Sequence, residues 1–455
     1  MAVQFMTGEI MTSKQKPAHT HSLAQTLGPV MLWGLGVGYV ISGMYFGWNL
    51  GLPAGGTLGL AISTFFIMLM YVFFTFSYTE LACAIPKAGG GFDYASRALG
   101  PTLGFVAGVA QLIEFLFAPP AIAFAIGAYF HEFFPDLPIL LISTLAFLLF
   151  TGLNILGVKA AARFELFITI FAVLELLIFS GVTLPHFEFK NLSTNALPAG
   201  VTGIFASIPF AIWFFLGIEG VANVAEETRN PQRNILLGFG SSIATLVVLC
   251  ILTFVSSIGV AGWEAIVYPV AGSQTTSDSP LPLALSHVVG KDHLLYHLLL
   301  TIGLFGLIAS FHGLILAAGR VTLEFARAGH LPGVLNRVHP KFQTPANALI
   351  ANALIGLIAL YSGKTAEIIT ISCFGAITLY ALSLLSFFKL RKTEPTLHRP
   401  FKAPLYPGSQ AFALLIALIA LVSMFVFNPN LGILYIAILT LALSSLRIRS
   451  RMEAS

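Results

Sequence analysis

Charge is what this sequence has least of. Of its 455 residues only 9% are Asp, Glu, Lys or Arg, whereas 57% are apolar. Soluble globular domains carry roughly 25% charged residues, so the polar surface needed to cover a water-borne fold is missing. With a mean hydropathy of +0.88, the chain reads as an all-α polytopic membrane protein with the lipid bilayer as its partner. Cysteine is also scarce: Cys83, Cys250 and Cys373 lie far apart inside apolar runs. That spacing argues against a disulfide framework or a metal cluster. The sequence also lacks a Gly-x-x-x-x-Gly-Lys-Ser/Thr phosphate loop, a His-Glu-x-x-His pair, and any clustered nucleophile and base. ATP-driven pumping and intramembrane hydrolysis therefore have no visible machinery, and the expectation is a non-enzyme without cofactor or metal. The basic loops show no interleaved aromatics of the kind that would suggest nucleic acid.

What is present is a series of apolar runs of about 20 residues, the length that crosses a bilayer as a helix. Twelve are predicted, at approximately 27–52, 57–84, 98–130, 138–156, 163–184, 200–223, 235–262, 287–328, 345–362, 366–390, 408–427 and 431–446. A tail (1–26) precedes a helical core (27–390), followed by a loop (391–407), the last two helices (408–446) and a short tail (447–455). With the N-terminus inside, every one of the 23 basic residues except Lys190, Lys291 and Lys364 falls on the cytoplasmic side, as the positive-inside rule requires. Lys14, Lys16, Lys159, Arg447, Arg449 and Arg451 contribute to that partition, which places both termini in the cytoplasm. A miscounted span would scramble it.

Two spans are weakened in their middles. The first carries Ser42-Gly43, and the sixth carries Gly217-Ile-Glu219-Gly220. Glycine loosens a lipid-embedded helix, and freed backbone groups at membrane depth are tolerated where they face protein or a polar cavity. The two interruptions lie five helices apart in oppositely directed segments. This predicts two inverted repeats, about 27–184 and 200–390, with a ligand site at the midplane.

Intramembrane carboxyls are costly and are expected to be protonated, paired or facing a cation. Three stand out: Glu114, Glu175 and Glu219. Gln111 and Glu114 share a helix face, and Pro119-Pro120 remove two backbone donors further on, leaving carbonyls near 115 and 116 free. Glu114 reads either as a cation ligand or as a neutral acid bonded to Gln111 or a nearby carbonyl. Glu219 reads as a proton-sensitive gate or a packing residue, and Glu175 as a coupling group or a structural hydrogen bond. His312 is a further coupling candidate. Trp213, Phe214 and Phe215 beside the second break suit a gate or an ammonium-facing wall. The charged loops Glu226-Glu227-Thr-Arg229 and Arg327-Ala-Gly329-His-Leu-Pro332 are candidates for an inner gate.

These stretches, with Glu80-Leu-Ala-Cys-Ala-Ile-Pro86-Lys-Ala-Gly89-Gly90 after the second span, resemble the amino acid, polyamine and organocation transporter superfamily over about residues 25–445. Ile41-Ser-Gly-Met-Tyr-Phe-Gly-Trp-Asn49 and Glu114-Phe-Leu-Phe-Ala-Pro-Pro-Ala-Ile-Ala-Phe-Ala-Ile-Gly-Ala-Tyr129 are similar to bacterial ethanolamine permeases. The resemblance implies a LeuT-like fold with broken helices 1 and 6, and import of ethanolamine across the bacterial cytoplasmic membrane by alternating access. An amino acid or polyamine is the alternative cargo, and H+ or Na+ a possible coupling ion. Carried over by position, Ser42 and Gly43 match the family's unwound first-helix site, Trp213 its central aromatic gate and Glu219 its sixth-helix acid. With the residues read above, the substrate site is expected around Tyr39, Ser42, Gly43, Met44, Gln111, Glu114, Trp213, Phe214, Phe215 and Gly217, with Glu219, Glu175, His312 and Trp213 in coupling or gating. Where proton-coupled members can carry a lysine in the fifth helix, this chain has Ala172, so lysine-based coupling is not expected.

Overall fold

The computed structural model describes residues 25–454 apart from 271 and 274, without side chains for 158–162 and 447–454. The tail calls on Lys14 and Lys16 and the side chains of Lys159, Arg447, Arg449 and Arg451 lie outside the described residues. The regular secondary structure of the described residues is helical, apart from one isolated bridge between Leu27 and Thr228. Ten helices are long and apolar enough to cross a membrane. The shorter Pro29–Tyr45 and Ala346–Leu360 bring the spans to twelve.

The spans are α1 (Pro29–Val40, continued by Ser42–Tyr45), α2 (Leu52–Ala84), α3 (Pro101–Phe133), α4 (Ile139–Leu156), α5 (Val158–Thr183) and α6 (Ile208–Trp213, continued by a 3-10 run Ile218–Glu227). They go on as α7 (Pro231–Ala261), α8 (Leu294–Arg327), α9 (Ala346–Leu360), α10 (Thr365–Thr393), α11 (Gly408–Phe427) and α12 (Pro429–Ala454). Proline opens α1, α3, α7 and α12, where its missing N–H costs no intrahelical bond. Pro119 and Pro120 sit inside α3, which nonetheless runs unbroken. The eighth span is shorter than its apolar run suggested, because Pro280–Val289 forms a separate helix. It belongs to the connection after α7, together with Trp263–Val267.

Packing follows the inverted repeat. α1 packs on α7 as α6 packs on α2; α5 packs on α8 as α10 packs on α3; and α3 meets α4 as α8 meets α9. Exchanging each of helices 1 to 5 with the helix numbered five higher maps one set of neighbours onto the other. The self-mapped pairs α1–α6, α2–α7 and α3–α8 are in contact along the pseudo-symmetry axis. α11 and α12 lie outside this unit, against α10.

Near the end of α2, Glu80 is 1% exposed. It accepts hydrogen bonds from Arg391 at 2.5 and 2.7 Å and from the Ala403 amide at 2.7 Å. Arg399 lies 3.1 Å away. The carboxylate thus ties α2 to the end of α10 and to the segment leading into α11.

Candidate substrate site and its closures

The two weakened helices meet at backbone distance. A Cβ on Gly43 would lie 2.5 Å from the Trp213 carbonyl oxygen and 3.0 Å from the Phe214 Cα, so a side chain there would push the breaks apart. The breaks themselves differ. In α6 the chain turns at Gly217, whose φ of 97° is left-handed, a region open to glycine at no steric penalty. In α1, Ile41 keeps helical dihedrals, so Ser42-Gly43 is a fault in the hydrogen-bond ladder and the chain leaves the helix at Phe46-Gly47, where φ is 87°. The cause of the fault lies on α8. Ser310 Oγ donates to the Gly38 carbonyl at 2.6 Å and accepts from the Ser42 amide at 2.8 Å. One hydroxyl thereby stands where a single i to i−4 bond would have closed.

Beside this junction, Tyr380 of α10 reaches two acids. Its hydroxyl lies 2.7 Å from Glu219 Oε2 and 3.2 Å from Glu114 Oε1. Tyr71 of α2 donates to the same hydroxyl at 3.4 Å and also faces the Ile212 carbonyl at 3.3 Å. Close approach of α10 to α3 at Gly375, against the Ala110 carbonyl and the Glu114 backbone, brings Tyr380 within reach. Glu114 and Glu219 are fully buried, and among the described residues neither joins an ion pair. Glu114 Oε2, Glu219 Oε1 and Gln111 Oε1 have no hydrogen-bond partner. A phenol carries one proton, so Tyr380 cannot donate to both acids. Three unmet acceptors in a low-dielectric interior call for a cation or a proton.

Gln111 does not bond Glu114, the sequence-derived possibility; its amide donates to Asn223 Oδ1 at 3.2 Å, and Asn223 in turn donates to the Ala88 carbonyl at 2.7 Å. The residues expected at one site are in fact divided among several. Gly43, Gln111, Glu114, Trp213, Phe214, Gly217 and Glu219 line the junction or the breaks that form it, with Phe215 against Tyr71 at 5.3 Å between ring centroids. Ser42 contributes its amide to Ser310. Met44 lies within the short helical piece, its carbonyl accepting from Trp48 Nε1 at 3.1 Å. Tyr39 has its ring packed between Gly220 and Gly313. Glu175 belongs to another cluster, where Tyr45 donates to it at 2.6 Å and Tyr129 donates to the Tyr45 carbonyl at 3.1 Å. His312 is not the isolated histidine expected from sequence, since its Nδ1 lies 2.9 Å from Glu165 Oε2. The apolar run predicts a fifth span beginning at 163, which puts Glu165 at its edge. α5 starts five residues earlier, and Glu165 is fully buried.

The junction is closed at both ends. On the face bearing Arg229 and Arg320, the Thr26 and Leu27 amides donate to the Glu227 carbonyl and the Arg229 amide donates to that of Leu27. Glu227 pairs with Arg320 at 2.7 Å, both 5% exposed. Arg327, in the second of the two loops expected to form the inner gate, pairs with Glu324 on its own helix at 2.5 Å. It points outward from the last turn of α8, two turns beyond the seam that Arg320 reaches. On the opposite face, Trp213 Nε1 donates to the Phe46 carbonyl at 3.0 Å, and Trp48 stacks on Phe214. Asn49 Nδ2 donates to the Ser277 carbonyl at 2.8 Å, and Thr365 donates to Asp278 at 3.2 Å. Asp278 lies outside the spans, and burial pushes its carboxyl from 3.8 up to about 6, with the Thr365 bond acting in the opposite direction.

Comparison with known proteins agrees with this architecture. Similar chains include the methylthioribose transporter of Bacillus subtilis, 26% identical over 85% of this chain and 85% of that one. The branched-chain amino acid permease BcaP of the same organism is 27% identical over 89% of each chain. The low-affinity putrescine importer PlaP of Escherichia coli is 26% identical over 83% of this chain and 84% of its own. A model of one family, described as amino acid permease, matches residues 26–443. With its twelve spans, paired breaks and doubly closed junction, the chain belongs to the amino acid permease family and is a membrane transporter.

Proposed function

We propose that this transporter imports ethanolamine, carried as a monovalent ammonium ion, across the bacterial cytoplasmic membrane by alternating access. The observation that carries the reading is the pair of ion-pair-free buried acids, Glu114 and Glu219, sharing Tyr380 where the two breaks touch. An amino acid would bring a carboxylate into this acidic setting, where like charge is disfavoured. An amino alcohol brings an ammonium for the acids and a hydroxyl that can bond backbone groups freed at the breaks or the Tyr71 and Tyr380 phenols. The similarity of 41–49 and 114–129 to ethanolamine permeases points the same way.

Orientation in this reading follows the basic residues, with Arg229 and Arg320 facing the cytoplasm. The Glu227–Arg320 seam is then the inner gate and the Trp213–Phe46 contact the outer one. A monovalent cation moving inward gains about 2.3 kcal/mol per 100 mV, enough to drive accumulation without a second ion. Two acids would also suit a diamine, and a putrescine importer is among the similar proteins, so a polyamine is the second reading.

The test is uptake of labelled ethanolamine into proteoliposomes, with competition by putrescine, leucine and other amines. Internal unlabelled ethanolamine should accelerate entry of label, as a carrier requires and a pore does not. Robust uptake of putrescine or leucine that excess ethanolamine fails to inhibit would overturn the assignment.

A further inference from the structure

Away from Glu114 and Glu219, α5 and α8 bury a second titratable pair directly behind α1. Glu165 and His312 are each 1% exposed in their side chains, with 2.9 Å between Oε2 and Nδ1. The other carboxylate oxygen, Oε1, has no hydrogen-bond partner. It lies against Gly38 of α1, where a Cβ would overlap it. Gly38 is also the residue whose carbonyl is held by Ser310, so α8 and α5 grip α1 at the same point.

The charged and titratable groups facing this pair come from three elements. α1 presents Tyr39, whose ring lies with Glu165 Oε1 against Gly313 and whose hydroxyl is within electrostatic reach of Glu165, Arg320 and Glu227. α8 presents Arg320, and the 3-10 run after the second break presents Glu227. α4 contributes an uncharged group, the Asn154 amide, which donates to the His312 carbonyl at 3.2 Å. The Tyr39 hydroxyl and Arg320 Nη1 each lack a hydrogen-bond partner of their own. Tyr39 therefore stands between a buried carboxylate and the guanidinium that seals the basic face.

We propose that Glu165 and His312 form a proton site whose occupancy sets the Glu227–Arg320 seal. With one proton held between the carboxylate and the imidazole, the pair carries no net charge and Arg320 remains committed to Glu227. When that proton leaves the pair for water, a net negative charge stays in the interior, where an unpaired ion is strongly disfavoured. The cation facing it across Tyr39 is Arg320, and competition for that guanidinium loosens Glu227 together with the 26–27 and 227–229 backbone seam. Opening then admits water to the bare carboxylate. The proton-bound form is closed on the basic face and the proton-free form is open there, whichever amine the central site carries.

The experiment needs no substrate. A reporter cysteine, Ala225→Cys, is placed in the full-length chain with Cys83, Cys250 and Cys373 replaced by alanine, and its alkylation by a maleimide is divided by that of the denatured protein at the same pH. Raising pH from about 6 to about 8 should increase the normalised rate at least about fivefold, and Glu165→Gln should abolish the increase. A flat profile with the native pair, or a slope that survives Glu165→Gln, overturns the proposal. Should Glu165→Gln not purify as a monodisperse protein, Tyr39→Phe decides, because it keeps the pair and removes the hydroxyl facing Arg320. A pH response undiminished in that variant is equally fatal.

Discussion

Ser310 stands inside the backbone ladder of α1, its hydroxyl bonded at once to the Ser42 amide and the Gly38 carbonyl. A side chain from one repeat thus holds open a helix of the other. Ser310→Ala should either leave two buried backbone groups unmet or let the ladder close. The first outcome lowers stability by about 1–2 kcal/mol, seen as a lower melting temperature; the second leaves melting unchanged but slows transport as α1 straightens. If neither melting nor transport changes, the bridge has no role.

Glu114, Tyr380 and Glu219 should behave as one unit. Glu114→Gln is expected to weaken ethanolamine uptake at least about tenfold, the loss of one charge-assisted contact. Because Tyr380 touches both acids, Tyr380→Phe combined with Glu114→Gln should cost less than the sum of the separate losses. Additive effects in a double-mutant cycle of transport kinetics would separate Tyr380 from Glu114.

The buried seam ion pair can be tested by removing one partner or both. Arg320→Ala should destabilise the protein by about 3–5 kcal/mol by leaving Glu227 uncompensated. Arg320→Met together with Glu227→Gln should recover most of that loss in denaturation experiments. Equal losses for the single and double variants would show that the pair matters through packing alone.

Asp278 predicts a pH dependence on the opposite face. Its carboxyl is raised by burial from 3.8 to about 6, so folding favours the neutral form. Its stabilising contribution is complete below about pH 4 and is lost as pH rises through about 6. Melting temperature should therefore fall across that window, and Asp278→Asn should remove this step without altering the behaviour at acid pH. An identical pH profile in the variant would show that Asp278 titrates at its ordinary value.

Much of the fold is legible in the sequence because lipid imposes it locally. Each span needs its own apolar run, and the basic residues that flank the runs fix their number. The breaks are legible for the same reason, since Gly43 and Gly217 are exceptions to a strict local rule. The site is less so. Tyr380 and Tyr71 look like two more aromatics in apolar helices, and Ser310 like a small residue suited to packing. Their roles come from neighbours across the bundle, 161 or 266 positions away for Tyr380 and 268 for Ser310. Glu165 shows the other limit: a shift of a few residues in a predicted helix start decides whether an acid is read as surface or interior. The two charged loops at 226–233 and 327–332 read as the inner gate; Glu227 of the first does pair, but with Arg320, which lies in a stretch that reads as apolar helix.

Glu80 has a mechanical consequence. It is bonded to Arg391, at the end of α10, and to the Ala403 amide, before α11, while α2 itself packs on α6 and α7. If the broken helices tilt with α2 during transport, this tether acts as a fulcrum: displacement is smallest near Glu80 and grows along α2 towards Thr57, beyond which Gly56, with a φ of 59°, breaks the helix. Spin-label distances from α2 to α10 should then spread widely at the Thr57 end and hardly at all beside Glu80, and a uniform spread along the helix would rule out the pivot.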